Sequence, residues 1–184
     1  MPADVRSPFV LDTRQLDRRA GSERRLAVSV PAPAGLAIPD IGIAPGTPVR
    51  LQLSVDSVVE GFWVSGTVTG EALGECVRCL DPVHLDVEAP VEALYVYTDA
   101  PTGGSVPEDA EDAEEVFALD GDLLDLEQAV RDAVVLELPL LPLCRPDCPG
   151  LLPDGSKATG GAPALVPTDL RWAALSSLVE PSGN

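Results

Sequence analysis

The chain has 184 residues, of which 45% are hydrophobic but only 4% aromatic, and a formal net charge of -18. That length and apolar share provide for one folded domain with a core of Val, Leu and Ala, and exclude a chain disordered throughout. There is no run of about 18 apolar residues to span a membrane, residues 1–10 lack a secretory leader's order, and so strong an acidity repels phosphate backbones over most of the surface. The expected location is cytoplasmic.

The charge is uneven. Six of the 12 Lys and Arg residues lie within residues 1–25, with only four of the 30 acids. A basic head on an acidic body suggests RNA contact through the head or a basic protein partner for the body. Residues 1–25 read as an extended arm with an apolar anchor at Phe9-Val10-Leu11. Arg14, Arg18, Arg19, Arg24 and Arg25 are its candidate RNA contacts; the alternative is a solvated arm packed on the domain.

Residues 26–179 read as a single domain and 180–184 as a tail. Residues 25–30 have strand composition. Residues 31–48, rich in Pro, Gly and Ala, read as a loop with one short strand at 36–38. Residues 49–55 alternate apolar and polar, and Glu60-Gly61 turns the chain into a second strand at 62–70, giving an antiparallel hairpin. Trp63 is expected to be a half-buried sheet residue. Residues 83–89 alternate again, Pro90 breaks the run, and 91–97 resume it. The pair Cys76 and Cys79 therefore joins two strands as a knuckle. His84, the one histidine, sits on the polar side and is expected to be exposed rather than a ligand.

Residues 98–115 turn acidic and read as a solvated loop without calcium-loop spacing. A short strand at 116–119 and an Asp120-Gly121 turn follow. Asp125 resembles a helix N-cap, with Gln128 completing a capping box. Leu126, Ala129, Val130, Ala133 and Val134 recur at helical spacing up to Leu138, and Pro139 and Pro142 end the helix. Residues 150–167 read as loop and 168–178 as a short terminal helix. The expected fold is α+β: an antiparallel, barrel-like sheet with one main helix and a short C-terminal helix.

Two of the four cysteines, Cys76 and Cys79, are spaced C-x-x-C; Cys144 and Cys148 are spaced C-x-x-x-C. Four thiolates around one tetrahedral ion would make a structural zinc site with no open position. Unrelated structural thiols or disulfides are the alternatives that spacing leaves open. A thioredoxin-like redox role has little support, because the C-x-x-C opens a hairpin and not a helix. A single histidine argues against Ser-His-Asp chemistry and excludes a multi-histidine metal centre, and no phosphate-cradling glycine loop is present. The expectation is a non-enzyme with no small-molecule substrate.

The order of segments carries a resemblance. Leu11-Asp12-Thr13-Arg14 and Arg18-Arg19-Ala20-Gly21-Ser22 come first, then Glu60-Gly61 and Val64-Ser65-Gly66-Thr67-Val68. Cys76-Val77-Arg78-Cys79-Leu80-Asp81-Pro82 follows and is the most specific marker. Leu138-Pro139-Leu140, Leu143-Cys144-Arg145-Pro146-Asp147-Cys148-Pro149-Gly150-Leu151 and Asp169-Leu170-Arg171-Trp172-Ala173-Ala174-Leu175 end the series. Over nearly its whole length the chain resembles the YceD family, the large ribosomal RNA subunit accumulation proteins. The resemblance implies a cytoplasmic, non-enzymatic factor supporting accumulation of large-subunit (23S) ribosomal RNA. Its implied partner is the large-subunit RNA precursor or a basic large-subunit ribosomal protein. A zinc-stabilised acidic protein-interaction module with no RNA role is the alternative. The family usually continues Gly-Leu-Cys-x-x-Cys-Gly after Cys148; Leu152 and Gly155 stand here in place of those cysteines. Zinc would then need Cys76 and Cys79 to complete its shell.

Overall fold

The computed structural model describes residues 6–16, 21–97, 116–152, 154–158 and 171. Nine strands and one α-helix make up the regular structure of these residues: β1 (Val10–Asp12), β2 (Glu23–Pro31), β3 (Ala37–Ile38), β4 (Ile41–Gly42), β5 (Pro48–Ser57), β6 (Gly61–Glu75), β7 (Pro82–Val96), β8 (Val116–Ala118), β9 (Leu123–Asp125) and α1 (Glu127–Glu137). A single 3-10 turn, Thr13–Gln15, follows β1.

Strict alternation builds the sheet. In β5, Val49, Leu51, Leu53 and Val55 are buried while Arg50 and Gln52 are exposed. Opposite them, Val64 and Val68 of β6 and Val28 and Val30 of β2 lie in antiparallel register, with Leu51 across from both Val28 and Val68. A one-residue slip would turn the whole apolar set to solvent, so the register is strongly specified. β5 and then β4 share one edge of β6, and β7 runs along its other edge over all 15 residues. Gly66 of β6 is needed for close approach of the backbones: at φ +148, a Cβ there would lie 2.2 Å from the Gln52 carbonyl oxygen.

The expected α+β barrel is corrected to a mainly β structure. The strand order β2-β5-β6-β4-β3, with β7 and then the parallel β8 on the far side, leaves the sheet open. Instead of a closing strand, α1 seals the core, burying Ala129, Val130 and Val134. Only this one helix is found among the described residues. Except for Arg171, residues 168–178, read as a second helix, lie outside them, as do the acidic segment 98–115 and the tail.

Other differences are local. Pro90 does not interrupt β7, since β8 reaches only Leu94 to Val96 and a missing N–H on that unpaired flank costs no ladder bond. The loop at 31–48 contains a two-strand hairpin, β3–β4. β9 pairs with β1, binding the N-terminal segment into the domain and burying Phe9. Leu126 and not Asp125 stands at the N-cap of α1; the Asp125 Oδ1 accepts the Glu127 N–H at 2.9 Å from one residue earlier, and Gln128 bonds to Asp132 and Arg131, so no capping box forms.

Candidate metal centre

The knuckle between β6 and β7 is set by backbone bonds. The Cys76 N–H donates to the Asp81 carbonyl at 2.7 Å, and the Leu80 N–H to the Cys76 carbonyl at 2.9 Å, with Leu80 left-handed at φ 59. The second pair arrives from the other side. α1 ends at Glu137, Leu138 is buried, and the prolines steer residues 139–148 back to the knuckle. There the Val77 N–H donates to the Pro142 carbonyl at 3.0 Å. Arg78 reaches across, its guanidinium donating to the Cys148 carbonyl at 2.8 Å. Gly150, at φ +82, passes so close that a Cβ would sit 3.2 Å from the Arg78 carbonyl oxygen.

The consequence is that Cys76, Cys79, Cys144 and Cys148 present four sulfurs, all within 4.8 Å of one another. The Cys76–Cys148 pair is 3.7 Å apart and the Cys79–Cys144 pair 3.5 Å. Tetrahedral thiolates at about 2.3 Å from a zinc ion would stand about 3.8 Å apart, so the cluster fits such an ion with little adjustment. The cysteines are free, and these separations far exceed a bonded S–S length of about 2.05 Å. Cys76, Cys79 and Cys148 are buried, and Cys144 is exposed as a residue.

Electrostatics divide the thiols. Burial works against the thiolate of Cys76, but backbone N–H groups of Cys144, Arg78 and Cys79 outweigh it and bring the group down to about 6. At Cys79 the Asp81 N–H favours the thiolate, yet burial and the three neighbouring sulfurs push the group up to about 12. Cys144 is lowered by its contact with Cys79, but burial and the sulfurs of Cys148 and Cys76 raise it overall. Without a metal, like charges cannot share this volume. A divalent cation removes that conflict.

Basic residues gather around the cluster. Beyond residue 25 the chain has only six bases, and three of them, Arg78, Arg145 and Lys157, border the cysteines. Lys157, the only lysine in the chain, bonds to Asp81 Oδ1 and holds that carboxyl below its ordinary range. Four thiolates with one divalent ion carry two net negative charges, which these bases offset only in part, since Lys157 also pairs with Asp81 and Arg145 with Asp147. Arg78 could be suspected from its place inside the C-x-x-C; no local pattern marks Lys157.

Leu152 and Gly155 occupy a small turn, in which the Leu152 N–H donates to the Ser156 carbonyl and the Gly155 N–H to the Leu152 carbonyl, both at 2.8 Å. The four-sulfur set is complete without them.

The arginines of the arm are not gathered in the same way. Arg14 lies 3.0 Å from Asp12 and 3.8 Å from Asp122, and Arg25 lies 2.7 Å from Glu23. Arg24 is exposed and makes no ion pair among the described residues; as neighbours in β2, Arg24 and Arg25 point to opposite faces. Arg18 and Arg19 lie outside the described residues. His84 is exposed and bonds Glu71 at 3.0 Å, away from the cluster. No helix among the described residues is long and apolar enough to cross a membrane.

A family model described as large ribosomal RNA subunit accumulation protein YceD matches residues 64–179. An uncharacterised protein of Mycobacterium tuberculosis (strain H37Rv) is 39% identical over 98% of this chain and 86% of its own length. An uncharacterised protein of Mycobacterium leprae is 42% identical over 79% of this chain and 64% of its own length. No solved structure matches the chain significantly.

Proposed function

Because the chain belongs to the YceD family, whose name ties it to accumulation of large-subunit ribosomal RNA, we propose that it is a non-enzymatic, cytoplasmic factor in large-subunit biogenesis, braced by a structural zinc ion. The observation that carries the zinc assignment is the convergence of Cys76, Cys79, Cys144 and Cys148 within 4.8 Å. Such a shell has no vacant position for substrate, which supports a structural and not a catalytic ion. When bound, the ion supplies a cross-link between the β6–β7 knuckle and the segment leaving α1. The residues themselves orient it: N–H groups face Cys76, Arg78 fixes the Cys148 carbonyl, and Lys157 with Arg145 offsets the negative charge.

The partner is a basic protein of the large subunit in preference to RNA. A net charge of -18 opposes phosphate, and Arg14 and Arg25 already have carboxylate partners. The test is affinity capture from cells with and without nuclease, beside ribosomal RNA profiles of a deletion strain. Large-subunit proteins retained after nuclease, and a deficit of large-subunit RNA on deletion, are expected. Normal RNA in the deletion strain would sink the reading.

A further inference from the structure

Nine large apolar side chains are exposed among the described residues, and eight fall in segments 73–80 and 136–152, which meet at the cysteine cluster. Leu136 and Leu140 are each 81% exposed, Leu141 71% and Leu80 62%. Leu151 and Leu152 extend the surface along the turn that Lys157 ties to Asp81. The ninth, Val59, lies at the β5–β6 turn, at the opposite end of the hairpin.

The fold does not use these leucines. Of the run 138–141, Leu138 enters the core while Leu140 and Leu141 point away from it. Apolar side chains scattered singly need no explanation, but eight gathered in two segments joined at one end of β6 point to an interface. The surface is also held in place before any partner arrives. Pro139 and Pro142 restrict the backbone around the leucines, and the Val77–Pro142 bond joins that loop to the knuckle. Little ordering entropy would be lost on binding.

Charge selects the occupant. Glu75, Glu137 and Asp147 lie in these segments and Asp81 and Asp154 just beyond them, against Arg78, Arg145 and the neighbouring Lys157, and a zinc-thiolate centre would add further negative charge. An apolar surface in a net acidic frame rejects a phosphate backbone and accepts apolar groups flanked by cations. We propose that the cysteine-cluster end is a docking surface for a protein segment with apolar side chains on one face and basic ones on the other. This rests on the biogenesis reading and gives its partner a chemistry.

The probe is a synthetic helical peptide of leucine and lysine, with leucines at i, i+3, i+4 and i+7, and a twin with glutamate for lysine. Each is titrated against the full-length zinc-loaded protein by fluorescence anisotropy. The lysine peptide is expected to bind, and the glutamate twin to bind at least roughly tenfold more weakly. The double variant Leu140→Ser/Leu141→Ser should lose at least about tenfold in affinity with zinc content and circular dichroism unchanged, whereas Val59→Ser should match the wild type. Equal binding of the twins, or a double variant as tight as the wild type, overturns the proposal. A photo-crosslinking residue at position 140 provides a second readout. Cross-links to the lysine peptide support the surface; in the free protein, cross-links to a second copy or to residues 159–184 of the same chain show another occupant and overturn it. The biogenesis reading fails separately, through normal ribosomal RNA in the deletion strain, which leaves the peptide measurements standing.

Discussion

The backbone N–H of Val77 donates to the carbonyl oxygen of Pro142 at 3.0 Å, fastening the first cysteine knuckle to the loop that leaves α1. This bond lies outside the sulfur cluster. It aligns the two halves of the site by main chain as well as by thiolate, so the cluster does not depend on the ion alone to meet.

Metal content follows first. The purified protein should carry one zinc per chain, and Cys76→Ser and Cys144→Ser should each abolish it, measured by plasma mass spectrometry. Structural zinc contributes on the order of 10 kcal/mol in isolated finger peptides. Here an independent core remains, so loss should lower the melting temperature without unfolding the sheet. Zinc retained by Cys144→Ser would rule out a four-sulfur shell.

Proton release is the second consequence. With Cys76 held at about 6 and Cys79 pushed up to about 12, the metal-free site at pH 7 holds a thiolate at Cys76 and a thiol at Cys79. Cys144, also raised, keeps its proton. Zinc binding must therefore expel protons from Cys79 and Cys144, and affinity should rise with pH. In the metal-free fold the signs are opposite. The lowered Cys76 contributes stability above its ordinary value, lost as pH falls through about 6. The raised Cys79 contributes stability below its ordinary value, lost as pH rises through about 12. Calorimetry in buffers of different ionisation heat would measure the release; a value of zero refutes this account.

Attachment of the N-terminal segment can be tested apart from the metal. Phe9 is buried beside the β1–β9 ladder, and Phe9→Ala should cost about 3–5 kcal/mol in urea denaturation. Tyr95, whose hydroxyl donates to the Asp125 carbonyl at 2.9 Å, should lose only about 1 kcal/mol as Tyr95→Phe. Equal effects would mean that the segment is not docked as described.

Restoring cysteines at the turn should add no second ion. Leu152→Cys with Gly155→Cys supplies only two further sulfurs where a closed shell needs four, and Gly155 sits at φ +80, where a side chain is strained. A stoichiometry of two zinc per chain would contradict this.

Alternation at 49–55 and 83–89 was enough to locate β5 and much of β7, because each buries one face and wets the other. Pro90 misleads, since a sequence does not say which flank of a strand is paired. β4 and β9 are two and three residues long and have no periodicity to read. The barrel fails as an expectation because local pattern does not reveal that a helix, and not a strand, covers the open side. For the metal centre, each cysteine pair was legible by spacing. Their meeting at one ion was the expectation and is met, with all four sulfurs within 4.8 Å; the route was not legible, as the Cys79–Cys144 approach spans 65 residues of chain and depends on where α1 ends.

The β1–β9 ladder bears on how the protein emerges during synthesis. Val10 has no strand partner until Asp125 has been made, and the first knuckle waits longer still, for Cys148. The β5–β6–β7 meander is complete by Val96 and can form as soon as it clears the exit tunnel. The N-terminal strand and the first cysteine pair are then the last parts to be satisfied, although they are translated early. For that interval the Cys76 thiol and an apolar Phe9 are both exposed to the cell.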